Sequence, residues 1–225
     1  IRRRKNRRFV QPKVKKACKQ VDGGLLLDKA QGMTSYDALQ KARRLFSAAK
    51  GGHTGTLDPM ATGLLPLCFG EATKFSADLL DADKTYEAVI KLGVATDSGD
   101  AEGQVIATSP VDVSETQLMG VLPRFSGDIL QVPPMHSALK RDGRPLYELA
   151  RQGIEVERDP RPVRIHRIDC LAFAGDTVTL RVACSKGTYI RVLAADIGQA
   201  LGCGAHLIAL RRTAVGNLLL AGAFS

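Results

Sequence analysis

The sequence lacks the features that mark membrane proteins and disulfide-rich secreted proteins. No apolar run among its 225 residues is long enough to span a membrane, and no signal peptide is recognisable. The five cysteines are odd in number and scattered, without a C-x-x-C pair. They fit reduced packing residues better than a disulfide framework or a zinc site. These absences predict a soluble protein of the cytoplasm.

Acidic residues are absent from the first 20 positions, which hold ten lysines and arginines. The net charge of +9 therefore comes from this segment, since the rest of the chain has 22 basic and 23 acidic residues. The first 20 residues also lack apolar periodicity. We predict a basic arm over residues 1–22 that is flexible unless bound and contacts phosphates through counterion release. A solubilising or cloning-derived extension is the alternative interpretation.

The full sequence is 44% apolar, so the chain that follows the arm can bury one large core or two small ones. Residues 84–92 alternate apolar and polar side chains, which predicts a half-buried strand with Tyr86 on its inward face. A helix is predicted to begin at Thr34 or Ser35, with Leu45 among its inward apolar residues.

Two further segments are predicted to be helical. Residues 71–80 show apolar side chains at helical spacing, with Phe75 on the inner stripe, and a second helix is predicted from about Tyr189 to Leu201. Strands and helices follow one another without regular β-α alternation. The pattern therefore favours an α+β fold with a central mixed or antiparallel sheet flanked by helices.

One loop places a single carboxylate among glycines and small residues. The segment 51–65 reads GGHTGTLDPMATGLL and centres on Asp58. Its glycines and proline allow tight turns, so ligand atoms can approach the carboxylate closely. The apolar run at residues 63–70 predicts a buried strand that anchors the loop. Composition alone favours a turn-forming or helix-capping aspartate, whereas the order of the residues points to chemistry.

That order resembles the signature of the bacterial tRNA pseudouridine-55 synthases, the TruB family, in which a G-H-T-G-x-L-D-P run carries the nucleophilic aspartate. Every position of the run is present between Gly52 and Pro59. Further family motifs occur in the expected order at Leu27–Ser35, Gly70–Phe75, Asp83–Tyr86, Ser137–Lys140 and Cys184–Arg191. Several ordered motifs are more specific than one. Ala30 departs from the family pattern, which usually has proline there.

The resemblance implies the pseudouridine synthase fold and a domain organisation. We expect residues 23–225 to form the catalytic domain behind the basic arm. The family normally ends in a small RNA-binding PUA domain, which we expect to be absent from this chain.

The resemblance also implies an activity, the isomerisation of uridine to pseudouridine at position 55 in the T-arm loop of tRNA. The bond from ribose to nitrogen 1 of uracil breaks, the flipped-out base turns, and the bond reforms at carbon 5. No atoms are gained or lost, so no cofactor or metal is expected. A sugar adduct, a base adduct and a glycal intermediate all stay open. We expect a monomer that binds the T-stem loop of tRNA without a membrane or an obligatory protein partner.

Three residues match catalytic positions of the family. Asp58 is the essential carboxylate, and Arg191 is the cation that keeps it ionised and oriented under bound RNA. Tyr86 lies against the target uracil, where it can stack on the ring and help to remove the proton of carbon 5. Without the family match, Arg191 would be interpreted as a surface residue at a helix start and Tyr86 as a core residue.

Four residues, besides Tyr86, match positions that bind the substrate or support the site. Tyr189 and Leu210 are expected to line the base pocket, although Leu210 also fits an ordinary core position. Lys29 is assigned to structural or phosphate support. His53 is expected to take the place of the flipped base in the RNA stack. A general base and a loop histidine are the alternatives for His53.

Two other functions fit the sequence less well than this hypothesis, and two more stay open. The glycine-rich loop lacks the G-x-x-x-x-G-K-[ST] order of a Walker A motif. A hydrolytic nucleosidase would need an activated water and usually a second carboxylate, which the motif does not supply. A binding module that helps tRNA to fold, and a synthase that acts on another RNA, stay open as alternatives.

Overall fold

The computed structural model describes residues 18–225 of the chain, so residues 1–17 of the predicted basic arm lie outside the described part. The end of the arm is hydrogen-bonded to the body. Lys19 N donates to Ser47 O at 2.7 Å, and Ala49 N donates to Lys19 O at 3.0 Å. Within residues 18–225, no helix is long and apolar enough to cross a membrane.

Residues 18–225 form strands, α-helices and short 3-10 turns in an irregular order. The strands are β1 (Gly23–Lys29), β2 (Gly51–His53), β3 (Thr62–Phe69), β4 (Lys84–Leu92), β5 (Val94–Thr96), β6 (Val105–Thr108), β7 (Gly127–Gln131), β8 (Lys140–Arg141), β9 (Arg144–Pro145), β10 (Arg161–Ala174), β11 (Thr177–Cys184), β12 (Ala205–Val215) and β13 (Leu218–Leu219). The α-helices are α1 (Ser35–Phe46), α2 (Ser76–Asp81), α3 (Glu115–Val121), α4 (Leu146–Arg151) and α5 (Ile190–Ala200). The 3-10 turns are Gly70–Phe75, Leu122–Phe125 and Leu220–Gly222.

A nine-stranded mixed sheet is the centre of the fold. Its main strand order is β1-β3-β12-β4-β11-β10-β7, with β2 paired to β3 and β13 paired to β12. The pair β12 and β3 is parallel, and the other pairs in this sheet are antiparallel. Two small hairpins, β5-β6 and β8-β9, lie outside it. The sheet and its flanking helices confirm the predicted α+β class.

The inner strands are buried in the way that their sequences predict. Leu64, Leu65 and Leu67 of β3 are 0% exposed, as expected for the apolar run after the Asp58 loop. On β4 the alternation is confirmed, because Ala88 and Ile90 are buried beside partly exposed residues. These strands and α5 surround one apolar core, which gives the loops at the strand ends a rigid base.

Helix α1 follows its prediction at its start and departs from it at its end. Thr34 is the N-cap, and its hydroxyl oxygen accepts a hydrogen bond from Asp37 N at 3.0 Å. Leu39 and Ala42 are buried, whereas Leu45 is 79% exposed. The predicted inward position of Leu45 is therefore wrong, because only the first turns of the apolar face are covered.

The helix predicted over residues 71–80 is broken into two pieces. A 3-10 turn at Gly70–Phe75 precedes α2, and Phe75 is 66% exposed rather than inward. Neither piece buries a residue. No other element of residues 18–225 covers the apolar face expected on this helix, so the helical spacing of its residues did not predict their burial.

Candidate active site

A cavity of about 1050 Å³ is lined by residues of β4, β12, the start of α5 and the Asp58 loop. Six of the seven residues predicted for the site line it: His53, Asp58, Tyr86, Tyr189, Arg191 and Leu210. Within residues 18–225 there is no cluster of three or more histidine, cysteine or acidic side chains able to hold a metal ion.

The loop that carries Asp58 is held in place by a few buried hydrogen bonds. Leu57 N donates to the Ser35 hydroxyl oxygen at 2.9 Å, which ties the loop to the first residue of α1. Thr54 N donates to Pro66 O at 3.1 Å, and Ala61 N donates to Asp58 O at 3.0 Å. These bonds fix the backbone on both sides of Asp58, so its carboxylate enters the cavity in a defined position.

Asp58 contacts the guanidinium of Arg191. Arg191 Nε lies 3.0 Å from Asp58 Oδ2. The Arg191 side chain, in the first turn of α5, is 6% exposed, whereas the Asp58 side chain keeps 38% of its surface exposed toward the cavity. A charge-assisted pair with one buried and one accessible partner holds the carboxylate in orientation and leaves it open to a ligand.

The other nitrogen atoms of Arg191 are also engaged. Nη1 donates to Ser98 O at 3.3 Å and lies 3.4 Å from Asp100 Oδ2. Nη2 donates to His136 O at 2.9 Å. The guanidinium is therefore fixed by two segments of the chain besides the Asp58 loop, the turn at residues 98–100 and His136, and it has little freedom to turn away from the carboxylate.

Burial raises the pKa of the Asp58 carboxyl above its ordinary value. The charge of Arg191 is the largest opposing influence, the Asp100 carboxylate raises the pKa further, and Lys29 lowers it. The net direction is upward. Arg191 thus favours the carboxylate form, as predicted from charge, without cancelling the effect of burial.

Asp100 is a site residue that the sequence did not reveal. It lies in an Asp-Ser-Gly-Asp segment that reads as ordinary turn chemistry. Its carboxylate is 5% exposed, and its Oδ1 accepts hydrogen bonds from Ser98 Oγ at 2.6 Å and Glu102 N at 3.0 Å. A Cβ at Gly99 would lie 3.2 Å from Arg191 O. Only the packing of this turn against α5 shows that Asp100 is a second anion for Arg191.

The two tyrosines enter the cavity from β4 and from the start of α5. Burial raises the pKa of Tyr86, and Arg212 is the main opposing influence. Tyr189 is the N-cap of α5. Its backbone is held by Gln131, which is 1% exposed: Tyr189 N donates to Gln131 Oε1 at 2.9 Å, and Gln131 Nε2 donates to Tyr189 O at 3.3 Å. Gln131 was not found from the sequence, because a lone amide at a strand end carries no signal.

His53 and Leu210 complete the wall of the cavity. His53 ends β2, and its Nδ1 is buried without a hydrogen-bond partner in the described structure. Burial lowers the pKa of His53, with a smaller effect of the Arg212 charge, so a neutral ring is favoured at neutral pH. Leu210, on β12, is 9% exposed. A neutral ring at the mouth and an apolar side chain inside suit contact with bases.

Lys29 lies beneath the loop rather than in the cavity wall. It is 1% exposed, and its Nζ donates to Met33 O at 2.6 Å, Ala30 O at 3.0 Å and Pro59 O at 3.5 Å. These contacts tie the end of β1 to the residue after Asp58. Of the two supports expected for Lys29, the geometry favours the structural one over phosphate contact.

Replacing Lys29 by methionine is expected to lower the free energy of unfolding by about 1–3 kcal/mol, because buried carbonyl groups lose their donor. The salt dependence of RNA binding should stay unchanged, since the ammonium group does not face the cavity. Denaturant unfolding and binding titrations at several salt concentrations would measure both. Lys41→Met, on α1, is the matched control. An altered salt slope in Lys29→Met would contradict the structural role.

Two family models match adjoining parts of the chain. A family model described as TruB family pseudouridylate synthase (N terminal domain) matches residues 43–190, and one described as tRNA pseudouridylate synthase B C-terminal domain matches residues 191–223. The second match begins at Arg191 and covers α5 and β12, which belong to the same core as the first.

Two curated relatives are both described as tRNA pseudouridine synthase B. The protein from Dechloromonas aromatica (strain RCB) is 81% identical over 92% of this chain and 69% of its own length. The one from Azoarcus sp. (strain BH72) is 68% identical over 88% of this chain and 66% of its own length. The chain thus spans about two thirds of the length of the curated relatives that it matches.

Solved structures also resemble the chain. The fold matches a chain in a crystal structure of a Cbf5-Nop10-Gar1 complex with a TM-score of 0.68 and 34% identity, over 85% of this chain and 48% of that one. A structure of an H/ACA RNP bound to a substrate RNA containing 2'-deoxyuridine matches with a TM-score of 0.65 and 31% identity, over 86% and 47%.

Proposed function

Because the chain belongs to the TruB family of pseudouridylate synthases, we propose that it converts uridine to pseudouridine at position 55 in the T-arm loop of tRNA. The observation that carries this proposal is the Asp58 carboxylate, held by Arg191 at 3.0 Å and partly exposed to a cavity of about 1050 Å³. A fixed anion in such a cavity can act on the electron-poor sugar carbon of a nucleotide that has been turned out of the RNA.

In the proposed reaction, Asp58 acts on the ribose while the bond from carbon 1′ to nitrogen 1 of uracil breaks. The carboxylate either bonds to carbon 1′ or removes a neighbouring sugar proton. The base turns within the cavity, and carbon 5 bonds to carbon 1′ as the bond from Asp58 to carbon 1′ breaks or, in the other route, as Asp58 returns the sugar proton. The charge of Arg191 favours the carboxylate form of Asp58 while RNA displaces water from it.

The remaining cavity residues bind the flipped nucleotide. Tyr86 and Tyr189 present aromatic faces to uracil, and Leu210 packs against its edge. His53, with its neutral ring at the mouth, fills the gap that the base leaves in the RNA stack. A flat uncharged ring lowers the free energy needed to open the stack.

The test is to incubate the purified protein with unmodified tRNA and to map pseudouridine at every uridine. Pseudouridine confined to position 55 supports the proposal, and modification at another position or only in another RNA overturns the assigned target. tRNA binding without any pseudouridine would instead favour the alternative of a folding helper. Adding EDTA to the reaction should leave the yield unchanged, because no step uses a metal.

The basic arm is proposed to add phosphate contacts outside the catalytic domain of residues 23–225. Deleting residues 1–17, which carry nine of the basic residues, should weaken tRNA binding and flatten the dependence of the binding constant on salt. The slope in a plot of log K against log salt should fall by roughly 0.9 for each contact with helical phosphates that is lost. An unchanged slope would show that the arm is a passive extension.

The proposed substrate also sets the expected surroundings of the protein. tRNA is modified where it is made and used, so we place the chain in the cytoplasm. Each step uses residues of one chain, and a monomer without an obligatory protein partner suffices for the proposed chemistry.

A further inference from the structure

Arg212 is a buried cation without a carboxylate partner. It is 1% exposed, on β12 at the register position opposite Tyr86. No carboxylate oxygen in residues 18–225 lies within 4.0 Å of its nitrogen atoms, and residues 1–17 contain no acidic side chain. Buried charges are normally paired, so an unpaired guanidinium at a cavity needs a functional explanation.

The guanidinium is held by neutral acceptors on one side. Nε donates to Leu64 O at 2.8 Å, and Nη2 donates to Gly55 O at 3.0 Å. A Cβ at Gly55 would lie 3.3 Å from Nη1, and Gly55 has a φ of +78°. The loop therefore packs tightly on the guanidinium, which cannot move away, while its charge lies beside the cavity that it helps to line.

The charge of Arg212 acts on Tyr86, as it does on His53 and Lys84. Register places Tyr86 across from Arg212 on neighbouring strands, and both residues line the cavity. Cys184 and Asp58 are the other titratable groups whose charges influence Tyr86, and both raise its pKa, as burial does. Among the groups around Tyr86, Arg212 is the one that favours its ionised form.

We propose that Arg212 is a positioning residue that holds the Tyr86 hydroxyl toward carbon 5 of the flipped uracil and stabilises the phenolate that accepts the carbon 5 proton. This inference rests on the proposed function. Removal of the carbon 5 proton is the last step of the reaction, and Asp58 and Arg191 do not explain it.

Once carbon 5 has bonded to carbon 1′, it carries both that bond and its original hydrogen, and carbon 6 is doubly bonded to nitrogen 1. The Tyr86 hydroxyl proton passes to water, which carries it toward nitrogen 1, and the resulting phenolate oxygen takes the proton from carbon 5. The electron pair of the broken carbon 5–hydrogen bond forms the double bond between carbons 5 and 6. One electron pair of the former double bond between carbon 6 and nitrogen 1 moves to nitrogen 1, which takes a proton from water.

The test compares Arg212→Gln, Tyr86→Phe and the double variant with the unaltered chain on a T-arm hairpin, under single turnover. Arg212→Gln should slow product formation by about 10- to 100-fold, as expected when a general base is impaired. In the Tyr86→Phe background the same change should have little further effect, because Arg212 acts through the tyrosine. Independent, multiplicative losses would overturn the proposal.

A deuterium label at carbon 5 of the target uridine supplies a second readout. Proton removal should limit the rate in Arg212→Gln at least as strongly as in the unaltered chain, so the isotope effect should be equal or larger. A smaller isotope effect would overturn the proposal, because the variant would then be limited by folding, binding or bond cleavage.

The neighbouring Arg211→Gln is the matched control. Arg211 pairs with Asp28 at 2.6 Å and does not line the cavity, so its loss should leave the isotope effect unchanged. Circular dichroism checks that each variant folds. If Arg212→Gln does not fold, Arg212→Lys is combined with Tyr86→Phe in the same way. Lysine keeps the positive charge but lacks the forked guanidinium that donates to two carbonyl oxygens. Absence of pseudouridine with the unaltered chain would refute the proposed function itself, a result distinct from failure of this inference.

Discussion

Asp58→Asn is expected to abolish pseudouridine formation, with a loss in single-turnover rate of at least about 10⁴-fold, the scale seen when an enzyme loses its nucleophile. Asparagine keeps the size and one acceptor oxygen of the carboxylate but removes its charge and its nucleophilicity. Because Asp58 contributes to chemistry rather than to RNA contact, tRNA binding should be largely retained. Release of tritium from uridine labelled at carbon 5 measures turnover, and filter binding measures affinity.

Asp196→Asn is the matched control for this substitution. Asp196 is a half-buried carboxyl on α5 whose pKa is also raised by burial, and it lies outside the cavity wall. Its amide variant should keep full turnover. Normal tritium release by Asp58→Asn would show that another group carries the reaction.

Arg191→Met is expected to cost about 3–5 kcal/mol of unfolding free energy, because it leaves two carboxylates, Asp58 and Asp100, without their buried cation. Arg211→Met is the surface comparison. It removes an ion pair with Asp28 whose arginine is 42% exposed, and should cost at most about 1 kcal/mol. Denaturant unfolding of both variants measures the difference, and equal losses would contradict the buried network.

Arg191→Met should also change the pH dependence of any remaining activity. The charge of Arg191 lowers the pKa of Asp58 and so partly opposes the effect of burial. Without that charge the pKa rises further, so a higher pH is needed to form the carboxylate. The acid limb of the rate profile should therefore move to higher pH in Arg191→Met, and movement to lower pH would exclude this account.

A double variant separates the effect of the cation from that of the second anion. Adding Asp100→Asn to Arg191→Met removes one of the two uncompensated charges. It should therefore recover part of the lost stability. Asp100→Asn alone should destabilise less than Arg191→Met, because its amide can still hydrogen-bond within the turn. A further loss of stability in the double variant would show that Asp100 does not act through Arg191.

Local patterns predicted the elements whose burial follows from their own sequence. The alternation along β4 placed Tyr86 on an inward face, and the apolar run after Asp58 predicted the buried strand β3. Helical spacing did not predict burial where no other element in the described part of the chain covers the apolar face of the helix. Leu45 and Phe75 are exposed, because spacing shows which residues share a face but not whether another element covers that face.

The sequence by itself determined the α+β class, the family and the loop that presents Asp58, because these depend on residue order within short segments. The tertiary structure alone decided that Asp100 shares Arg191 with Asp58 and that Gln131 holds Tyr189. It also decided that Arg212 lies across from Tyr86, with no acidic side chain of residues 18–225 paired to it. The reason is that burial and charge pairing depend on which strands and turns the sheet brings together. A turn aspartate and a strand arginine look ordinary until their neighbours are known.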